Sequence, residues 1–405
     1  MDFPRLVGVF GLGLLTLVAM GAKADPSTMF TVTGDLSAPA TLMLADLQSL
    51  PTTTDTATYR TGTGPQTGTF TGPTLWTLLD NAGLRGPPVK NGLLRQYVVA
   101  TGNDGYSALF SVGEHAPQFG GGNPQDLVAY EANPPLGSAG FARIVAAKDD
   151  SGGRYVSNLS RLQIGTAPSR PSQGGGAKDQ FFLSGSVQTP GAYTLSSLSA
   201  LPATTETVTY LAAGNPVTAT FTGVSIWTLL TDAGIVTNAA VKNDILNYYL
   251  LATGSDGYEA VFSLGELDPM FGGAGMPDMV AYMENGSPIA GDGFARVTVP
   301  GDNFGGRYVS NLVSLEVIRA VVPEPGSLVL IATSLIGMGL SLVSLYGSRV
   351  SAKLARWRGL HCVSTSDPGR RSAMARSACS KPSEITVPFR RPGARWECRI
   401  GARGC

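Results

Sequence analysis

The chain has 405 residues, of which 43% are hydrophobic, and its 29 basic residues balance 29 acidic ones. That length exceeds one ordinary domain, and the apolar content excludes a wholly disordered chain. The zero net charge is a cancellation: residues 25–320 carry 24 acids and 14 bases, whereas 13 bases face 3 acids from Arg349 onward. An acidic central part makes nucleic acid an unsuitable partner.

Residues 1–24 read as a signal peptide. Arg5 supplies the positive start, Leu6 to Met20 the apolar run, and Ala22-Lys-Ala24 the small-residue pattern that places cleavage before Asp25. The chain is therefore expected to be exported across an inner membrane.

The next 300 residues state one pattern twice. Phe70-Thr-Gly-Pro-Thr-Leu-Trp76 returns as Phe221-Thr-Gly-Val-Ser-Ile-Trp227, and Gly152-Gly-Arg-Tyr-Val-Ser-Asn-Leu159 returns as Gly305-Gly-Arg-Tyr-Val-Ser-Asn-Leu312. So long a period implies two domains, at 28–164 and 181–320. The linker, 165–180, holds Pro168, Pro171 and Gly174-Gly-Gly176 and is expected to be flexible. Neither repeat contains cysteine, so both cores must stand without disulfides.

Leu44, Leu47 and Leu50, like Leu195, Leu198 and Leu201, recur at helical spacing before a proline. Trp76 to Gly83 predicts a short helix closed by glycine. Thr207 to Tyr210 alternates as a strand, and Tyr248 to Phe262 reads as a hairpin turning on Asp256-Gly257. Further strands are expected around 279–282 and 295–299. The fold class is α+β, with mixed β structure and short helices.

Leu328 to Tyr346 is uncharged and long enough to cross a bilayer, with Arg349, Lys353, Arg356 and Arg358 after it. All four cysteines lie in the Arg-, Ser-, Gly- and Pro-rich tail, 359–405, which has no apolar periodicity and is expected to be disordered. Pro323-Glu324-Pro325, the apolar helix and the basic cluster resemble, over residues 322–358, the PEP-CTERM sorting signal. The resemblance implies an exosortase-type partner, a transient membrane anchor through the helix, and delivery to the envelope or outside. Envelope polysaccharide is the expected surrounding.

The repeats resemble the sulfite-oxidase-type, molybdopterin-binding fold. The second copy carries Thr207 to Asn215, Gly223-Val-Ser-Ile-Trp-Thr-Leu-Leu230, Asp256-Gly-Tyr258, Glu284-Asn-Gly286, Arg296-Val-Thr-Val-Pro300 and Gly306 to Leu312 in the order of that family's motifs. The resemblance implies a thiolate that ligates molybdenum, yet Thr61 and Ala212 stand at its place. Ser157 and Ser310 replace the lysine of the closing motif, and Asn158 and Asn311 its tryptophan. What remains is Arg143, Arg154, Arg296 and Arg307, which read either as a remnant anion pocket able to hold a small anion or as structural pairs with a backbone carbonyl or a carboxylate.

No nucleophile elbow, phosphate loop or HExxH pattern is present, so no catalytic residue is assigned. No metal ligands are assigned either. Glu114, Glu266, Asp268 and Asp278 fall near Gly-rich segments but lack the spacing of a calcium loop, and His115 is read as surface loop. The expected function is a non-catalytic binding or structural protein without cofactor. The alternative is a periplasmic molybdopterin-binding oxidoreductase with a thiolate-free site.

Overall fold

A computed structural model of the chain describes residues 25–320 except 123, 124, 138, 139, 274 and 292. The signal peptide, the sorting motif, the apolar segment 328–346 and the tail lie outside the described residues. Among the described residues no helix is long and apolar enough to cross a membrane.

The fold is mostly β, with a few short helices. The first repeat runs β1 (Met29–Gly34), β2 (Ala40–Met43), α1 (Leu44–Gln48), β3 (Thr53–Thr61), β4 (Gly64–Gly72), α2 (Leu75–Asn81), β5 (Gln96–Gly102), β6 (Ser107–Ser111), α3 (Val112–His115), β7 (Leu127–Ala129), β8 (Glu131–Asn133), β9 (Arg143–Val145) and β10 (Leu159–Thr166). The second runs β11 (Gln180–Gly185), β12 (Gly191–Thr194), α4 (Leu195–Ser199), β13 (Thr204–Ala212), β14 (Asn215–Ser225), α5 (Ile226–Ala233), β15 (Tyr248–Gly254), β16 (Glu259–Ser263), α6 (Leu264–Leu267), β17 (Met279–Glu284), β18 (Ser287–Pro288), β19 (Arg296–Thr298) and β20 (Leu312–Arg319).

Each repeat builds the same five-stranded sheet, β2-β1-β10-β5-β6 and β12-β11-β20-β15-β16. The first and last strands of each repeat pair in parallel, and the other neighbours are antiparallel. Alternation explains the outer strands: Phe30 and Val32 turn inward from β1 while Met29 and Thr31 do not. Gly257 supplies the positive φ, 85°, that the β15–β16 turn requires.

The second sheets differ. In the second repeat β13, β14, β17 and β18 pair continuously, with β19 on β17. In the first, β3-β4-β8 and β7-β9 are separate. The sequence explains this. β4 ends before Pro73, which has no N–H for pairing, where β14 runs on through Val224 and Ser225 along β17. Asn285 and Gly286, at φ 51° and 77°, make a two-residue hairpin turn after β17. Pro134 and Pro135 stand after Asn133, and proline has neither the N–H nor the φ for such a turn.

The two repeats pack tightly on each other. Leu246 and Phe271 of the second repeat sit in the core of the first, and Leu94 and Phe119 of the first sit in the core of the second. A further apolar layer joins Val99 and Leu109 to Tyr249, Leu251 and Val261. The Tyr97 and Tyr249 rings stack at 4.9 Å. This explains why β15 and β16 are buried at every residue. Strands covered on both faces lose the alternation that marks a half-exposed strand. The segment joining the repeats lies on the second one: Gln173 and Gly175 donate backbone hydrogen bonds to the Ser255 carbonyl, and Arg170 pairs with Glu316 at 2.7 Å.

Candidate functional site

The junction of the repeats carries a buried cluster of acids and arginines. Four-residue helices position it. Ser111 caps α3 by accepting from the Glu114 N–H at 3.2 Å, and Ser263 caps α6 by accepting from the Glu266 N–H at 3.0 Å. The same hydroxyls also reach across the junction. Ser111 Oγ donates to Glu266 Oε1 at 3.0 Å, and Ser263 Oγ donates to Glu114 Oε2 at 2.9 Å.

Short 3-10 turns at Gly152–Arg154 and Gly305–Arg307 deliver the cations. Arg154 holds Asp149 through two bonds, Nε–Oδ2 at 2.9 Å and Nη2–Oδ1 at 2.6 Å, and donates its remaining Nη1 to Glu114. Arg307 repeats this with Asp302 at 2.9 and 2.6 Å and with Glu266 at 2.9 Å. The guanidinium groups lie over the Phe110 and Phe262 rings at 5.1 and 5.2 Å. The forks of both arginines are thus engaged by carboxylates.

Close approach explains the glycines of the recurring motifs. A Cβ on Gly113 would lie 2.7 Å from Arg307 Cδ, and one on Gly265 would lie 2.6 Å from Arg154 Cδ. Each arginine therefore reaches over the first turn of the other repeat's short helix.

A cavity of about 310 Å³ opens beside the cluster. Glu114, Asp126, Glu266, Asp278 and Asp302 border it, against Lys148, Arg154 and Arg307. Burial pushes Asp278 up to about 7 against the pull of Arg307, and Asp149 to about 7 against Arg154. Burial also raises Asp126. Glu114 and Glu266 take opposite directions. Burial acts on both, but Arg154 and His115 hold Glu114 well below the usual carboxylate range. Burial and the facing Glu114 lift Glu266 well above it. His115, which has Leu267 as its counterpart, marks the difference between the two sides.

Of the four arginines expected to form an anion pocket, Arg154 and Arg307 line this cavity and Arg143 and Arg296 do not. Arg143 lies over Phe70 and Tyr155 at 5.6 and 5.5 Å. Arg296 lies over Phe221 at 5.5 Å and pairs with Glu284 at 3.6 Å. Thr61 and Ala212 close the β3–β4 and β13–β14 hairpins and are not lining residues.

One expectation is overturned. His115 is not in a surface loop but ends α3 at 7% exposure, packed beside Phe110. The apolar β6 carries it inward along with Glu114. The tyrosines also do more than close a turn. Asp104 and Asp256 accept from the N–H of Tyr106 and Tyr258 at 3.0 and 2.9 Å, as the turn requires. In addition, each hydroxyl accepts a bond across the junction, from Asn243 at 3.0 Å and from Asn91 at 2.8 Å.

No family model matches the chain, and no curated protein matches it. A solved structure that it is similar to is the sulfane dehydrogenase SoxCD from Paracoccus pantotrophus, at 13% identity over 74% of this chain and 79% of that one, with a TM-score of 0.29. At that identity and TM-score no activity and no residue role passes from one to the other.

Proposed function

We propose that the exported part of this chain is a non-catalytic binding or structural protein of the cell envelope, built on a sulfite-oxidase-like pair of repeats that no longer holds a molybdopterin. The carrying observation is the use of Arg154 and Arg307. A molybdopterin is anionic and needs cations that can turn toward it. Here both buried guanidinium groups are spent on Asp149, Glu114, Asp302 and Glu266, and the cavity beside them is lined by more carboxylates than cations. Thr61 and Ala212, at the place where the resemblance puts the thiolate, end hairpins outside that cavity. The residues present do not fit the cofactor.

Export through the signal peptide, sorting at Pro323-Glu324-Pro325 by an exosortase-type enzyme, and a partner among envelope polysaccharides or small anions complete this reading. The redox test uses the full chain, exported through the periplasm of a host that makes molybdopterin. It should show no visible absorption band and no sulfite- or sulfoxide-dependent electron transfer. Either signal would overturn the reading.

A further inference from the structure

We infer that Glu114, His115 and Asp126 form a binding site for one divalent transition-metal ion on the wall of the junction cavity. One ligand atom from each lies within 4.8 Å of the others. His115 Nε2 stands 3.2 Å from Glu114 Oε1 and 3.9 Å from Asp126 Oδ2. Metal–ligand distances of 2.0–2.2 Å put neighbouring tetrahedral donors about 3.4 Å apart, within that spread.

The independent observation is the imidazole itself. His115 is 7% exposed, and its Nε2 lies 3.2 Å from Glu114 Oε1 without hydrogen-bond geometry to either of the two carboxylates that face it. A buried ring nitrogen in that position is costly unless something occupies it. The residue borders the cavity, so an ion held there keeps an open position toward solvent.

The surroundings suit a cation. Glu114, Asp126 and Asp149 lie beside Arg154, while the neighbouring Arg307 is paired with Asp302 and Glu266 and Lys148 is exposed at the rim. The Ala147 N–H holds Asp126 Oδ1 at 3.1 Å, leaving Oδ2 on the His115 side. Arg154 takes one lone pair of Glu114 Oε1, and a carboxylate oxygen has a second. One imidazole with two carboxylates is a set for zinc, iron or manganese rather than for calcium.

The second repeat is a built-in control. It has Glu266 and Asp278 at the matching places, but Leu267 where the first has His115. A leucine cannot ligate, so one ion per chain is the stoichiometry. The assignment does not depend on how the protein is sorted or on the fate of molybdopterin.

The test is calorimetric titration of the stripped full chain with zinc chloride. Cys362, Cys379, Cys398 and Cys405 are replaced by serine in every sample, because tail thiols bind zinc themselves. The expected result is one ion bound per chain, with affinity falling more than about 100-fold in both His115→Leu and Asp126→Asn. Without metal, His115→Leu is expected to melt no lower than the parent, since the variant removes a buried unbonded nitrogen and leucine already fills this place in the second repeat. Should His115→Leu fail to fold, Asp126→Asn carries the test alone. No binding by the parent, or equal binding by parent and a folded variant, overturns the site.

Discussion

Glu114 and Glu266 face each other across the junction of the repeats, and each accepts a hydrogen bond from the serine that caps the other's helix. A cap therefore serves two helices at once, one in each repeat. The exchange ties the fold of each repeat to the presence of the other. The same reciprocity holds for Phe119 and Phe271, each in the opposite core.

Tight packing between the repeats predicts the first outcome. A Cβ on Gly153 would lie 2.3 Å from Phe271 Cε1, and one on Gly306 would lie 2.2 Å from Phe119 Cε1. Neither ring has room to withdraw from its core. Gly153→Ala and Gly306→Ala should each cost about 1–3 kcal/mol. Phe119→Ala should cost about 3–5 kcal/mol by emptying the pocket. Denaturant midpoints measure all three, and a wild-type midpoint for the glycine variants would contradict the packing.

Arg154→Met leaves Asp149 buried without its guanidinium partner and removes the arginine from Glu114. Removing one side of such a pair costs about 3–5 kcal/mol, mostly from the charge left behind. Adding Asp149→Asn should restore part of that loss, because the orphaned charge disappears. A double-mutant cycle measures the recovery. Simple additivity would show that the pair is not coupled.

Asp278 sets a pH dependence. Burial lifts it from 3.8 to about 7 in the folded protein. Between those values the folded state keeps a proton that the unfolded chain has released. The stability this proton supports is complete below about pH 4 and is lost as pH rises to about 7. Asp278→Asn should therefore melt higher than the parent at pH 7.5 and show a smaller fall in Tm from pH 4.5 to 7.5. An unchanged fall would remove Asp278 as a cause.

Much of the local fold is legible in the sequence because its causes are local. Asp256-Gly257 makes its turn, Leu44 and Leu47 lie in a short helix, and Trp76 sits in α2 with Gly83 beyond it at φ 69°. The junction is not legible, because Leu94, Phe119, Leu246 and Phe271 leave their own repeat, and no periodicity records a partner 150 residues away. The burial of His115 escapes because its cover, Phe110, Glu114 and Asp126, is assembled by tertiary packing that no local pattern records. One signal was available. Ser111-Val-Gly-Glu114 and Ser263-Leu-Gly-Glu266 recur together with Gly-Gly-Arg in both copies. A cap, a small residue and an acid repeated with an arginine mark a site that neither repeat can build alone.

The sorting proposal has its own test. Replacing Pro323, Glu324 and Pro325 by alanine should leave the chain in the inner-membrane fraction of a host that carries an exosortase-type enzyme. Release equal to that of the parent would contradict it.

The most direct measurement is molybdenum and pterin analysis of the full chain after export through the periplasm of a molybdopterin-competent host. With Arg154 and Arg307 committed to carboxylates, the folded protein should carry neither. Molybdenum and pterin together at near one per repeat would contradict the account and make the chain an oxidoreductase with a ligand set other than a thiolate.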